Sequence, residues 1–248
     1  MIDPRISVIS QRLGRTRRIL AVSSGKGGVG KSIVATTLAL TLARNGCRVG
    51  LFDLDFTSPS THIILNATKV QLKEEKGIVP QVVHGLEYMS LVYFVGDKPA
   101  PLRGTDVSNA LIELLSVTKW GKLDFLVIDM PPGIGDAVLD LVRLIKRIEF
   151  LIVTTPSLLA FETVKKQVSL LCGLKMPVIG IVENMKMDKT SGVQVETERL
   201  RLRYLGAIPF DPHVEDAIGN ETRLMSTVVG KVIREVGENA ILAERRKQ

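Results

Sequence analysis

Short, unbroken apolar runs recur along the chain, separated by stretches with helical spacing. Ile19–Val22, Val49–Phe52, Leu123–Ile128, Phe150–Val153 and Val178–Val182 are rich in Val, Ile, Leu and Phe. Runs of this kind without polar alternation predict strands buried on both faces. Between them, Ser32–Arg44, Val107–Leu115, Ala137–Ile145 and Phe161–Leu171 predict helices, the first closed by Asn45-Gly46. Strand and helix alternating in this way predict an α/β fold: a doubly wound, mostly parallel sheet with helices on both faces and right-handed crossovers. One stretch breaks the alternation. Ile78–Val83, a His84-Gly85 turn and Leu86–Leu91 predict a small β-hairpin insertion. Near the C-terminus, Met225, Val228, Val229, Val232, Ile233 and Val236 share helical spacing and predict a helix packed on the core. A membrane-surface helix would need bases along its polar face, whereas Arg245-Arg246-Lys247 lie past the apolar stripe.

Composition narrows the class. The chain has 248 residues, 45% hydrophobic and 24% charged, which excludes a disordered or collagen-like chain and suits one sizeable core. No repeat or linker divides it. Residues 1–18 are expected as a basic N-terminal arm and 19–248 as a single domain. The arm sets Arg5, Arg12, Arg15, Arg17 and Arg18 against Asp3, so that +4 of the overall +7 falls there. A short basic arm of this kind is ordinarily a solvated tail. With Lys165-Lys166, Arg199, Arg201 and Arg203 it leaves DNA open as a partner, although few aromatic residues stand ready to stack on bases. The N-terminus has no apolar signal region. Apolar stretches such as Ser32–Ala43 and Phe150–Phe161 fall short of the ~18 residues a spanning helix needs. No membrane span and a cytoplasmic location are therefore expected. The two cysteines, Cys47 and Cys172, exclude a disulfide scaffold and fit a reducing compartment.

The sharpest chemical signal is Gly25-Lys26-Gly27-Gly28-Val29-Gly30-Lys31-Ser32, which fits G-x-x-x-x-G-K-[ST] between a predicted strand and a predicted helix. Glycines let backbone amides converge on phosphate oxygens, and the following helix adds N-terminal donors and its positive dipole end. Lys31 is a point charge for the β/γ-phosphates of ATP, and the Ser32 hydroxyl can ligate Mg²⁺. Lys26 is an extra charge inside the loop, able to meet the same nucleotide or to reach across an interface. Asp53 and Asp55 follow the second strand, at the binding edge of an open α/β sheet. One can join the metal shell while the other orients an attacking water. Asp129 ends Phe125-Leu126-Val127-Ile128, the hydrophobic-strand-then-Asp pattern that holds Mg²⁺. It leads into Pro131-Pro132-Gly133-Ile134-Gly135-Asp136, a stiff pair followed by two glycines. This predicts a switch in which a glycine amide senses the γ-phosphate.

Together these residues resemble the deviant Walker A class of MinD, ParA and the nitrogenase iron protein. Within it the chain is most similar to the Mrp-type nucleotide-binding proteins, the ApbC-like iron–sulfur carrier ATPases. The likeness extends through Asp53–Ser60, Arg103-Gly104, Trp120–Asp136, Thr154–Pro156, Glu183-Asn184-Met185 and Gly206–Pro212. The resemblance implies a slow ATPase with bound ATP or ADP and Mg²⁺. It makes Lys26, Lys31 and Asp55 catalytic, with Asp55 positioning the hydrolytic water. Lys26 would reach the partner subunit's nucleotide in a homodimer formed through the nucleotide face. Asp53 and Asp129 would act near the metal through water, and Asn184 and the backbone near Pro209 would hold adenine. A client protein is implied but not identified. The carriers have a C-x-x-C shortly after Glu-Asn-Met, where Glu183–Gly192 here has no cysteine. Thiolates hold iron–sulfur clusters, so a resident cluster is not expected and a link to cluster assembly stays open. Cys47 and Cys172 are expected as small buried hydrophobes. Two other readings remain: a positioning ATPase acting on DNA or membrane, and a non-catalytic regulator that uses nucleotide as a switch.

Overall fold

The computed structural model describes residues 3–68, 72–95, 105–187 and 192–242. Arg103-Gly104 of the family likeness, Asp188–Ser191 of the cysteine-free stretch after Glu183-Asn184-Met185, and the Arg245–Lys247 bases lie outside the described residues. In chain order the first half holds α1 (Arg5–Leu13), β1 (Arg18–Ser24), α2 (Lys31–Arg44), β2 (Val49–Asp53), α3 (Thr61–Ile64), β3 (Lys73–Glu74), β4 (Ile78–Val79), β5 (Gln81–Val83), β6 (Leu86–Ser90), α4 (Val92–Val95) and α5 (Thr105–Val117). The second half holds β7 (Phe125–Asp129), α6 (Asp136–Leu144), β8 (Ile148–Thr154), α7 (Leu158–Gly173), β9 (Val178–Lys186), α8 (Val193–Arg199), β10 (Tyr204–Pro209), α9 (Val214–Ala217), α10 (Glu221–Ser226) and α11 (Val228–Val236).

Among the described residues, eight strands form one sheet in the order β10-β9-β8-β1-β7-β2-β6-β5, and all of its pairings except β5 with β6 are parallel. The strands carry no polar alternation because both faces are covered. On β1, Leu20 and Val22 pack toward Val34 and Leu38 of α2, while Ile19 and Ala21 pack toward α5, α6 and α7. Side chains alternating across one strand thus feed two separate cores. The phosphate loop leaves the C-terminal end of central β1, at the edge where such sheets bind ligands.

The hairpin turns where expected but is smaller, and it is built into the main sheet. His84 and Gly85, at φ 48° and 80°, make the primed turn that suits strand twist, and β5 pairs antiparallel with β6. β6 also pairs parallel with β2, so half of the hairpin belongs to the main sheet. Pro80 splits the expected strand, since proline has no N–H to donate, and β4 pairs antiparallel with β3 in a two-stranded sheet. The C-terminal apolar stripe likewise divides at Thr227, whose hydroxyl caps α11 by accepting from the Gly230 amide at 3.1 Å. Val229, Ile233 and Val236 are buried against the α2 core.

The N-terminal arm is not a solvated tail. Ile9 and Leu13, four residues apart on α1, are buried against α5 and α6. Arginines of the arm are spent within the chain. Arg12 donates to the carbonyls of Ser116 at 3.1 Å and Lys76 at 2.6 Å. Arg18 grips Glu149 at 2.8 and 2.6 Å and donates to the Ile241 carbonyl at 3.0 Å. Lys165 pairs with Glu162 and Glu196, and Arg199 with Glu196, so the second basic cluster is also neutralised in part. Cys47 is buried as expected, but Cys172 is exposed because it falls on the outer face of the last turn of α7. No described helix is long and apolar enough to cross a membrane.

Candidate functional site

A cleft of about 520 Å³ opens over the C-terminal end of β1, between the Gly25–Gly30 loop, the segment after β2 and α9. Gly28 and Gly30 adopt φ of 77° and 79°, a left-handed conformation that a side chain resists. Gly30 caps α2 without a side-chain oxygen, so the first amides of that helix face the cleft. Gly25 is pressed on α7: a Cβ there would stand 2.2 Å from Thr163 Oγ1. The Ser24 hydroxyl donates to the Lys26 carbonyl at 2.9 Å and closes the loop. Lys26 itself is exposed and lines the cleft.

The charged centre lies at the floor. β2 and β7 are in register at Asp53 and Asp129, which sets the two carboxylates on neighbouring strands. Lys31 Nζ stands 2.6 Å from Asp129 Oδ1, 3.4 Å from Asp55 Oδ2 and 3.3 Å from Ser32 Oγ. Burial pushes the Asp129 carboxyl up to about 7, against the opposing pull of Lys31 and with a push from the Asp53 charge. Its Oδ2 is buried without a hydrogen-bond partner. An orphaned carboxylate oxygen next to the Ser32 hydroxyl is the donor chemistry a divalent cation takes, so Ser32 and Asp129 fit Mg²⁺. Asp53 does not offer the same. Its Oδ1 accepts the Asp55 amide at 3.1 Å, and its Oδ2 accepts the amides of Ser60 and Thr61 at 3.2 Å and the Thr61 hydroxyl at 2.7 Å. Burial raises its pKa as well. Asp53 is the anchor of the 55–61 loop, and Asp55 is the carboxylate that reaches the cleft.

Asn184, Pro209 and the switch segment stand apart from the charged centre. Asn184 donates from Nδ2 to the Val29 carbonyl at 2.9 Å and packs beneath Gly30, so it grips the phosphate loop from behind. Neither Asn184 nor Pro209, which ends β10 exposed, lines the phosphate cleft. In the switch segment, Pro132 lines the cleft, and the amide of Gly133, one of its two glycines, donates to the Ser24 carbonyl at 2.8 Å. That bond ties the segment to the root of the phosphate loop. Pro131 is half-buried, and Gly135 and Asp136 open α6 at the surface. No sequence pattern points to Thr61, Thr163 or Gln167, the last of which donates to Ser23 Oγ at 2.5 Å under the same loop. Their roles come from tertiary neighbours alone.

The chain is similar to known proteins in sequence and fold. The family model described as the NUBPL iron-transfer P-loop NTPase of the ParA group matches residues 15–240. An iron-sulfur cluster carrier protein of Pseudomonas fragi is 45% identical over 70% of this chain, which spans 62% of that protein's length. A solved nucleotide-binding protein from Archaeoglobus fulgidus, in complex with ADP, superposes with a TM-score of 0.75 at 29% identity, covering 90% of this chain and 93% of that one. The cell division ATPase MinD of Pyrococcus furiosus shares the fold at 21% identity and a TM-score of 0.69, covering 90% and 97%.

Proposed function

Because the chain belongs to the ParA-group NUBPL-type P-loop NTPases, we propose that it is an Mg²⁺-dependent ATPase, turning over slowly and acting as an ATP-driven dimer switch. The observation that carries this is the buried Lys31 between Asp129 at 2.6 Å and Asp55 at 3.4 Å, beneath a glycine loop whose amides face an open cleft. Lys31 is held ready by carboxylates and is handed to the β- and γ-phosphates when nucleotide enters. The loop amides and the α2 N-terminus orient the phosphate chain. Ser32 and Asp129 would hold Mg²⁺, which when bound neutralises phosphate charge. Asp55 orients the attacking water. Gly133, tied to Ser24, gives the Pro131–Asp136 segment a route by which the state of the loop reaches α6. The base is proposed to lie toward Asn184 and Pro209. Exposed Lys26 is proposed to meet the nucleotide of a second copy across a dimer formed on this face.

The test is nucleotide binding and phosphate release by the purified protein. Lys31→Ala should abolish both. Asp55→Ala should keep binding but slow turnover. A parent protein that neither binds nor hydrolyses ATP refutes the reading, and normal turnover in Asp55→Ala removes that residue from the mechanism.

The relative's name supports a role in iron–sulfur cluster assembly. The sequence offers only Cys47 and Cys172, with no C-x-x-C, so the chain is proposed as the ATP-hydrolysing component, working on a client protein, and not as the cluster holder. Anaerobic reconstitution with iron and sulfide tests this; iron bound above background overturns it. The DNA reading is the weaker one, because Arg12 and Arg18 are committed to intrachain contacts.

A further inference from the structure

The loop that carries Asp55 is clipped at both ends by one carboxylate. Asp53 Oδ1 takes the Asp55 amide at 3.1 Å and Oδ2 takes the Ser60 and Thr61 amides at 3.2 Å. Asp55 in turn accepts the amides of Thr57 and Ser58 through Oδ1 at 3.1 Å, which leaves Oδ2 for Lys31. The aim of the Asp55 carboxylate therefore depends on where Asp53 stands. Asp53 has a third donor on Oδ2, the Thr61 hydroxyl at 2.7 Å, and Thr61 Oγ1 lies 2.7 Å from the Tyr88 hydroxyl. Donors converge on Asp53 Oδ2, so it accepts from Thr61. A threonine has one hydroxyl proton, so its remaining bond is accepted from Tyr88. The direction of the chain is fixed: Tyr88 to Thr61 to Asp53. All three side chains are fully buried. The Tyr88 ring is held by Tyr93, edge-on at 5.8 Å and 85°. Tyr88 sits on β6, three strands from β1 in the sheet order, and is not among the residues that line the cleft.

We propose that Thr61, backed by Tyr88, is a positioning residue for hydrolysis, fixing through Asp53 the loop that aims Asp55 at the attacking water. The proposal rests on the ATPase reading. Phosphate contacts lie elsewhere, on the glycine loop and Lys31, so the relay acts on turnover and not on nucleotide affinity. Small misplacements of a water-orienting group cost large factors in rate.

The test uses Thr61→Val, which keeps the shape and removes the hydroxyl, Thr61→Ser, which keeps the hydroxyl, and Tyr88→Phe. Thr61→Val should lower kcat by about tenfold or more with KM for ATP changed less than about twofold. Thr61→Ser should recover most of the lost rate, and Tyr88→Phe should show a smaller fall in kcat at the same KM. Amide exchange at residues 55–61 should quicken in Thr61→Val. The proposal is overturned by parental kcat in Thr61→Val, by kcat and KM failing together, or by Thr61→Ser as slow as Thr61→Val. Should Thr61→Val not fold, Tyr88→Phe decides, and unchanged kcat there overturns it. If the parent itself shows no ATP turnover, the ATPase reading fails separately, and unchanged exchange at 55–61 then overturns the relay on its own.

Discussion

Gly30→Ala and Gly28→Ala separate two costs that glycine avoids in the phosphate loop. Both positions are left-handed, at φ 79° and 77°, so alanine at either is strained by ~1–2 kcal/mol. A Cβ at Gly28 meets nothing within 4 Å, whereas at Gly30 it would stand 2.2 Å from Asn184 Nδ2. Asn184 is almost wholly buried and cannot swing into solvent. To make room it must release the Val29 carbonyl, leaving two buried polar groups unpaired, at a cost of ~1–3 kcal/mol. Gly28→Ala is thus expected to lose ~1–2 kcal/mol and Gly30→Ala ~2–5 kcal/mol. Urea unfolding at unchanged slope is the assay. The decisive arm is the same pair of changes in an Asn184→Ala background. There the obstruction is gone, and Gly30→Ala should cost no more than Gly28→Ala. Contacting residues couple in this way, and distant ones add. Equal losses for the two glycines in the parent, or an undiminished Gly30→Ala cost without Asn184, would refute the clamp.

Gly25→Ala sets its Cβ against Thr163 at 2.2 Å from Oγ1 and 2.8 Å from the backbone carbonyl carbon, so the loop itself must move off α7. Nucleotide affinity should fall by tenfold or more, about 1.4 kcal/mol, in a titration with labelled ADP; parental affinity would show that the loop tolerates the shift. Ile9→Ala empties a fully buried site under α1 and should cost ~2–5 kcal/mol in thermal or urea unfolding; a loss below ~1 kcal/mol would mean that α1 is a loose arm after all. Arg18→Ala removes a two-point grip on Glu149 and a bond to the Ile241 carbonyl from a setting only 13% and 23% exposed. We expect a loss of ~1–3 kcal/mol, largely retained at high salt; a difference that vanishes with added salt would mark it as an ordinary surface pair.

What the sequence disclosed and what it concealed follow from the range of the forces involved. The strand runs were legible because burial on both faces leaves no polar position, and the glycine loop because its chemistry is compressed into eight neighbouring residues. α1 is masked by composition: its segment is rich in arginine, although Ile9 and Leu13 carry the spacing of a docked helix. α7 starts at Leu158, ahead of the apolar stripe that opens at Phe161, because Leu158 and Leu159 are both 78% exposed and break the periodicity; the Ser157 cap on the Ala160 amide marks the true start. Asp53, Asn184 and Gly133 are legible as residues, but their partners within the chain are not. Each carries a group able to bind a phosphate, a metal or a base, and each spends it on the chain: on the 55–61 loop, on Val29 and on Ser24. Pattern identifies a residue type suited to a ligand, whereas only the fold shows which donors and acceptors remain unspent. By that measure the cleft is defined less by its acidic residues than by what the scaffold leaves open: the amides at the start of α2, Asp129 Oδ2, and a lysine held between two carboxylates.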